Sequence, residues 1–172
     1  MKNTKRISRN ALLFTLAITL SWLESLLPSF VPIPGIKPGL SNIVTMYALF
    51  FTGVPDAFSI VILKSMFVML TRGLSGGTLS LCGGLVSAVI MLLLRRAGSS
   101  NGFISVMGAV FHNLGQFAGA MIFLSTPMIW LYIPVLVISG IIMGILTGTI
   151  LTLVLPAVKR VDPNITESSK NA

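Results

Sequence analysis

The residues of this chain with chemical potential are few, and they sit inside apolar runs: Glu24, Lys64, His112, Asn113 and Gln116. Lys64 lies nine residues into one run and His112 nine into another, so at about 1.5 Å per residue each is roughly 13 Å from the start of its helix. Gln116 follows His112 by four residues and shares its helix face. Ser41 and Asn42 open a further apolar run. An ionisable side chain at membrane depth costs about 2.5–3.5 kcal/mol or more unless it is partnered, so Lys64 needs an anion. Two sources are open. Glu24 can supply it in a structural pair, or an anionic group such as a phosphate or carboxylate can be received by Lys64, Lys37 and the positive end of the helix that Ser41 and Asn42 begin. His112 is open in the same way between an interhelical hydrogen bond and a ligand contact. Together, Glu24, Lys37, Ser41, Asn42, Lys64, His112, Asn113 and Gln116 are the candidate lining of an outward-opening small-molecule pocket.

Other chemistry is missing. The four acids, Glu24, Asp56, Asp162 and Glu167, form no cluster that could hold magnesium against a diphosphate. There is no Walker A sequence, and the single His and single Cys make neither a metal or haem site nor an intramolecular disulfide. The sequence therefore predicts no catalytic residues, no metal and no cofactor, and at most an accessory subunit of an enzyme.

The elements that must position the polar residues follow from composition. The 172 residues are 54% hydrophobic and 9% charged, with a mean hydropathy of +0.95, which points to lipid as the solvent. The pattern predicts an all-α integral membrane protein of about six transmembrane helices: Asn10–Leu27, Leu40–Phe51, Pro55–Thr71, Leu79–Leu94, Phe103–Leu124 and Trp130–Pro156. The second is too short to span alone. The proline-rich stretch Pro28–Gly39 and the glycine-rich stretch Arg72–Thr78 read as loops.

The net charge of +8 is distributed as the positive-inside rule requires rather than as a nucleic-acid surface. Lys2, Lys5, Arg6, Arg9, Arg95, Arg96, Lys159, Arg160 and Lys170 all fall on one side of a six-span topology, which makes both termini cytoplasmic. The expected organisation is a cytoplasmic basic N-terminus (1–9), a six-helix membrane domain (10–158) and a cytoplasmic polar tail (159–172). Membrane lipid is a partner of the basic ends, and nucleic acid is not. Small residues at helical spacing, Gly140, Gly144 and Gly148 near the end of the chain and Ala17 with Ser21 near its start, predict close helix packing.

With these residues in view, the chain resembles the bacterial family described as heptaprenyl diphosphate synthase component I, also called the Gx transporter family. The resemblance rests on Leu20-Ser21-Trp22-Leu23-Glu24-Ser25, Pro34-Gly35-Ile36-Lys37-Pro38-Gly39-Leu40-Ser41-Asn42-Ile43, Ser80-Leu81-Cys82-Gly83-Gly84-Leu85 and His112-Asn113-Leu114-Gly115-Gln116. It implies a relation to the substrate-binding S components of energy-coupling-factor (ECF) transporters, six-helix proteins without ATPase activity in the bacterial cytoplasmic membrane. From it follow the expectations of a first external loop, around Lys37, closing over a small-molecule ligand, and of a helix-one small-residue face, at Ala17 and Ser21, docking to an energy-coupling transmembrane protein with two ATPases. It equally implies an alternative, an accessory role beside prenyl-synthase subunits in heptaprenyl diphosphate or quinone metabolism, or beside redox subunits in flavin-based extracellular electron transfer.

Overall fold

The computed structural model describes residues 2–26, 39–122 and 127–161. Among them the chain forms five α-helices and no strand: α1 (Lys2–Leu26), α2 (Asn42–Phe51), α3 (Val54–Arg96), α4 (Asn101–Met121) and α5 (Ile133–Val161), the last preceded by a 3-10 turn over Pro127–Tyr132. The stretch Pro28–Pro38, with Lys37, and the tail beyond Val161 lie outside the described residues.

The 43 residues of α3 are not one rod. At Gly73 the backbone takes φ 81° and ψ 178°, a left-handed excursion that a residue with a Cβ rarely adopts, and the helix folds back on itself. The Ser65 and Ser80 hydroxyls meet at 3.3 Å. A Cβ on Gly77 would lie 2.4 Å from that of Met69, and one on Gly84 2.7 Å from Val61 Cγ1. Residues equally far from Gly73 therefore face one another, and the arms 54–72 and 74–96 run antiparallel. The expected loop over Arg72–Thr78 is corrected to a single non-helical residue, because glycine reverses the chain without a longer connection. Two further boundaries differ: α1 begins at Lys2, within the basic segment, and α5 continues through Pro156 to Val161.

Local chemistry fixes the ends and pairings. The Ser100 hydroxyl caps α4 by accepting from the Phe103 amide at 3.4 Å. Arg95 donates to the last carbonyls of α2, Leu49 and Phe50, and its guanidinium lies 5.0 Å from the Phe50 ring centroid. A cation there answers both the orphan carbonyls and the negative end of the helix dipole. Arg6 and Asn10 of α1 donate to Asp56 at the start of α3, at 2.7 and 2.9 Å, with Arg9 3.7 Å away. Near the other end of α1, Arg72 donates to the Ser21 carbonyl. These two ties make α1 and the first arm of α3 parallel neighbours.

The seam between α4 and α5 is antiparallel and unusually close. A Cβ on Gly144 would stand 2.4 Å from Val106 Cα, and one on Gly140 2.7 Å from Val110 Cα. The glycine stripe is thus filled from within the chain, by α4. Ala17 and Ser21 are likewise buried, Ala17 in the apolar core built around α2.

The distribution of polarity is inverted relative to a protein dissolved in water. Glu24, Lys64, His112, Asn113 and Gln116 are all buried, whereas Leu12, Leu70, Leu153, Ile122 and many other aliphatic side chains are exposed. Among the described residues two helical stretches, Val54–Arg96 and Trp130–Leu153, are long and apolar enough to cross a membrane, their 18-residue windows reaching mean hydropathies of 2.1 and 2.2.

Candidate functional site

Glu24 lies on the buried stripe of α1 with Ala17 and Ser21, at spacings of three and four residues. Its carboxylate faces the start of α2: Oε1 accepts from the Leu40 amide and Oε2 from the Ser41 hydroxyl at 3.4 Å. The positive end of α2, which the sequence offers to an incoming anion, is therefore met by the chain's own carboxylate.

Lys64, on the first arm of α3, is 2% exposed. It does not touch Glu24. Nζ donates to Ser41 Oγ at 3.0 Å, so the hydroxyl stands between the ammonium and the carboxylate, accepting from one and donating to the other. The two charges are close enough to act on each other, but the direct pair that the sequence offers is replaced by a hydroxyl bridge.

From the opposite wall, α4 contributes His112 and Gln116. The imidazole is approached by backbone on two sides. A Cβ on Gly83 would lie 3.1 Å from His112 Cε1, and one on Gly39 would lie 2.9 Å from His112 Cδ2. Gly39 itself has φ +86°, so a side chain at this position would meet both a strained backbone and the ring. His112 Nδ1 has no hydrogen-bond partner among the described residues.

These side chains converge on one small cavity lined by Ser21, Glu24, Ser41, Lys64, Val68, Arg72, Gly76, Ser80, His112 and Gln116. Its volume is about 10 Å³, which is close to the minimum that holds one water molecule. Five of the eight candidate pocket residues line it: Glu24, Ser41, Lys64, His112 and Gln116. Asn42 is 5% exposed, and neither polar atom of its side chain has a partner among the described residues. Asn113 turns away toward α5, where Nδ2 donates to the Leu136 carbonyl at 2.9 Å and to Ser139 Oγ at 3.0 Å. Lys37 lies outside the described residues.

Arg72, Ser21 and Ser80 line the cavity although the sequence gives them other places. Arg72 reads as a loop cation, Ser21 as a packing residue, and Ser80 as part of a motif without a role. A signal for Arg72 was present: with Lys37 it is one of two cations on the side that otherwise carries none. With Arg72 in the wall, the described lining holds two cations, Lys64 and Arg72, against one carboxylate, Glu24. Such an arrangement favours an anion held by charge-assisted hydrogen bonds, and at the size of one water the space admits one only when its walls move apart. Among the described residues no group of three or more His, Cys, Asp or Glu side chains is placed to hold a metal ion.

Residues 13–154 match the model of the family described as heptaprenyl diphosphate synthase component I. No curated protein and no solved structure matches the chain.

Proposed function

We propose, from the premise that the chain belongs to the heptaprenyl diphosphate synthase component I family, that it is a non-catalytic membrane component binding a small anionic molecule, or the anionic head of an amphipathic one. The observation that carries this reading is the two-to-one excess of cations over carboxylates around the small cavity among α1, α2, α3 and α4. A buried cation without a counter-charge is costly at membrane depth, and a bound anion supplies one. Asn42 and His112 Nδ1 add hydrogen-bonding capacity that the described residues leave unspent.

The inverted polarity supports a multi-pass topology. The arms 54–72 and 74–96 measure about 28 and 34 Å at the helical rise, each comparable with a hydrocarbon core of about 30 Å. Counting them separately, with α1, α2, α4 and α5, gives six helical rods, and the basic ends support a topology with both termini in the cytoplasm. The α1–α3 end that carries Arg72 faces outward in this orientation. Capture from outside by an S-component-like subunit, delivered inward with an energy-coupling partner, is the fuller form of the reading. Because Ala17 and Ser21 are buried, such a partner would have to dock on another face of α1.

A second reading is favoured by the family's own description, in which a component I implies a partner component of a prenyl diphosphate synthase. Here the same cavity would hold an anionic head for a subunit that performs the chemistry.

The experiment is native mass spectrometry of the protein extracted gently from its own membrane, with Lys64→Met alongside. Retention of an anionic small molecule by the wild type and its loss from Lys64→Met are expected; equal retention by both would overturn the binding role of the cavity. The subunits that co-purify divide the two readings: membrane coupling protein and ATPases for uptake, a synthase component for the accessory role.

A further inference from the structure

Beside the small cavity lies a second, larger hollow of about 450 Å³ between α1 and the first arm of α3, lined by Ser21, Trp22, Ser25, Phe67, Thr71 and Arg72. Ser21 and Arg72 line both spaces. The Arg72 guanidinium, donating to the Ser21 carbonyl, therefore belongs to the wall that divides them. The two sides of that wall differ in chemistry. Inward are the Lys64 ammonium, the Glu24 carboxylate, His112 and Gln116; outward are the Trp22 and Phe67 rings, on a face continued by exposed Leu23, Leu63 and Leu70.

A volume of 450 Å³ is within the range of about 300–1,000 Å³ typical of small-molecule sites. A guanidinium carries donors on more than one edge of its plane, and among the described residues the Ser21 carbonyl is the acceptor shown for Arg72. An anionic head at Arg72 would gain charge-assisted hydrogen bonds from the remaining donors and would answer the excess positive charge of the adjoining cavity. An apolar chain attached to that head would lie against Trp22 and Phe67, where the walls are aromatic and the surroundings aliphatic.

We infer that the cleft between α1 and α3 is a chain-binding subsite. It takes the apolar tail of a single-chain amphipathic anion whose head is held at Arg72, at the wall of the polar cavity. This inference rests on the anion-binding reading above and narrows its ligand to amphiphiles that approach from the side of the helix bundle.

The test is binding of radiolabelled dodecyl phosphate and inorganic phosphate to the full chain in phosphatidylcholine nanodiscs, with empty discs subtracted. Wild type, Thr71→Phe and Arg72→Gln are compared. Thr71 is exposed at the cleft, so a phenyl ring there fills the hollow without entering the core. Dodecyl phosphate is expected to bind at least tenfold more tightly than inorganic phosphate. Thr71→Phe should cut dodecyl phosphate affinity at least tenfold and leave inorganic phosphate unchanged, while Arg72→Gln should weaken both. Equal affinities for the two probes, or no effect of Thr71→Phe, would overturn the subsite and leave the anion-binding cavity standing. Failure of the wild type to bind either probe would overturn both. Displacement of dodecyl phosphate by phosphatidylglycerol discs as readily as by its own unlabelled form would give the cleft to bulk lipid and overturn the inference. Thr71→Phe decides the matter by itself should Arg72→Gln not fold.

Discussion

Along the α4/α5 seam and around Lys64 the chain buries polar side chains in comparable measure, yet it uses them differently. At the seam they are turned to the neighbouring helix. Ser105 donates to the Gly144 carbonyl at 2.8 Å and meets Thr147 at the same distance, Asn113 donates to Leu136 and Ser139, and glycines bring the backbones together. Around Lys64 the side chains surround a space, two cations share one carboxylate, and Asn42 and His112 keep unspent hydrogen-bonding capacity. At the seam the polar side chains bond across to the neighbouring helix, with Asn113 Oδ1 left without a partner among the described residues, whereas around Lys64 they face a space that carries unequal charge. The two regions share burial and polarity, and differ in whether the polar groups meet another helix or a space.

The largest effect should come from breaking the seam. Gly144→Leu drives a side chain into the Val106 backbone, 2.4 Å from where its Cβ would stand, and overpacking of this kind costs about 3 kcal/mol. For a chain of this size that corresponds to a fall in Tm of roughly 10 °C, read by thermal unfolding in detergent.

A smaller loss is expected at Asn113. Asn113→Ala removes the bonds to Leu136 and Ser139 but leaves the Leu136 carbonyl accepting from the Ser139 hydroxyl, for a loss of about 1–2 kcal/mol. Anion binding should be unchanged, because the side chain faces α5. A variant that keeps its Tm but loses the bound anion would move Asn113 from the seam to the site.

The smallest effect on stability is expected where the effect on binding is greatest. Lys64→Met removes one of the two cations that share Glu24, so the buried carboxylate keeps Arg72 as a counter-charge and the loss stays well below the about 3–5 kcal/mol that breaking an isolated buried pair costs. Its Tm should fall by the equivalent of no more than about 1 kcal/mol, the worth of the lost hydrogen bond to Ser41, while ligand retention is lost. A steep fall in Tm would show that Lys64 holds α2 and α3 together through Ser41, as the seam residues hold α4 and α5, and would erase the difference between the regions.

Parts of this site were legible before any coordinates. Lys64 and His112 were placed at one depth by counting residues along helices, and Gln116 joined His112 by the four-residue spacing; all three line one cavity. The glycine spacing at Gly140, Gly144 and Gly148 foretold a close helix approach. The direct Lys64 and Glu24 pairing failed for a reason of geometry: whether two side chains on different helices touch depends on how each helix is rotated, and Ser41 turned out to stand between them. Arg72 was missed because a run of glycines reads as a loop, whereas one left-handed Gly73 suffices to reverse the chain and keeps Arg72 on the last turn of a helix.

By itself the sequence determined what repeats along one chain: the helical class, the apolar faces, the asymmetry of basic residues and the position of each polar residue along its helix. Those properties depend on spacing and composition, which a single strand of residues carries in full. Only the tertiary structure decided which polar groups satisfy one another. It set Glu24 against the start of α2, Arg95 against its end, Asn113 against α5 and Arg72 in the wall between two hollows. Those pairings arise between helices far apart in sequence, where distance and rotation, and not residue type, determine which bonds close.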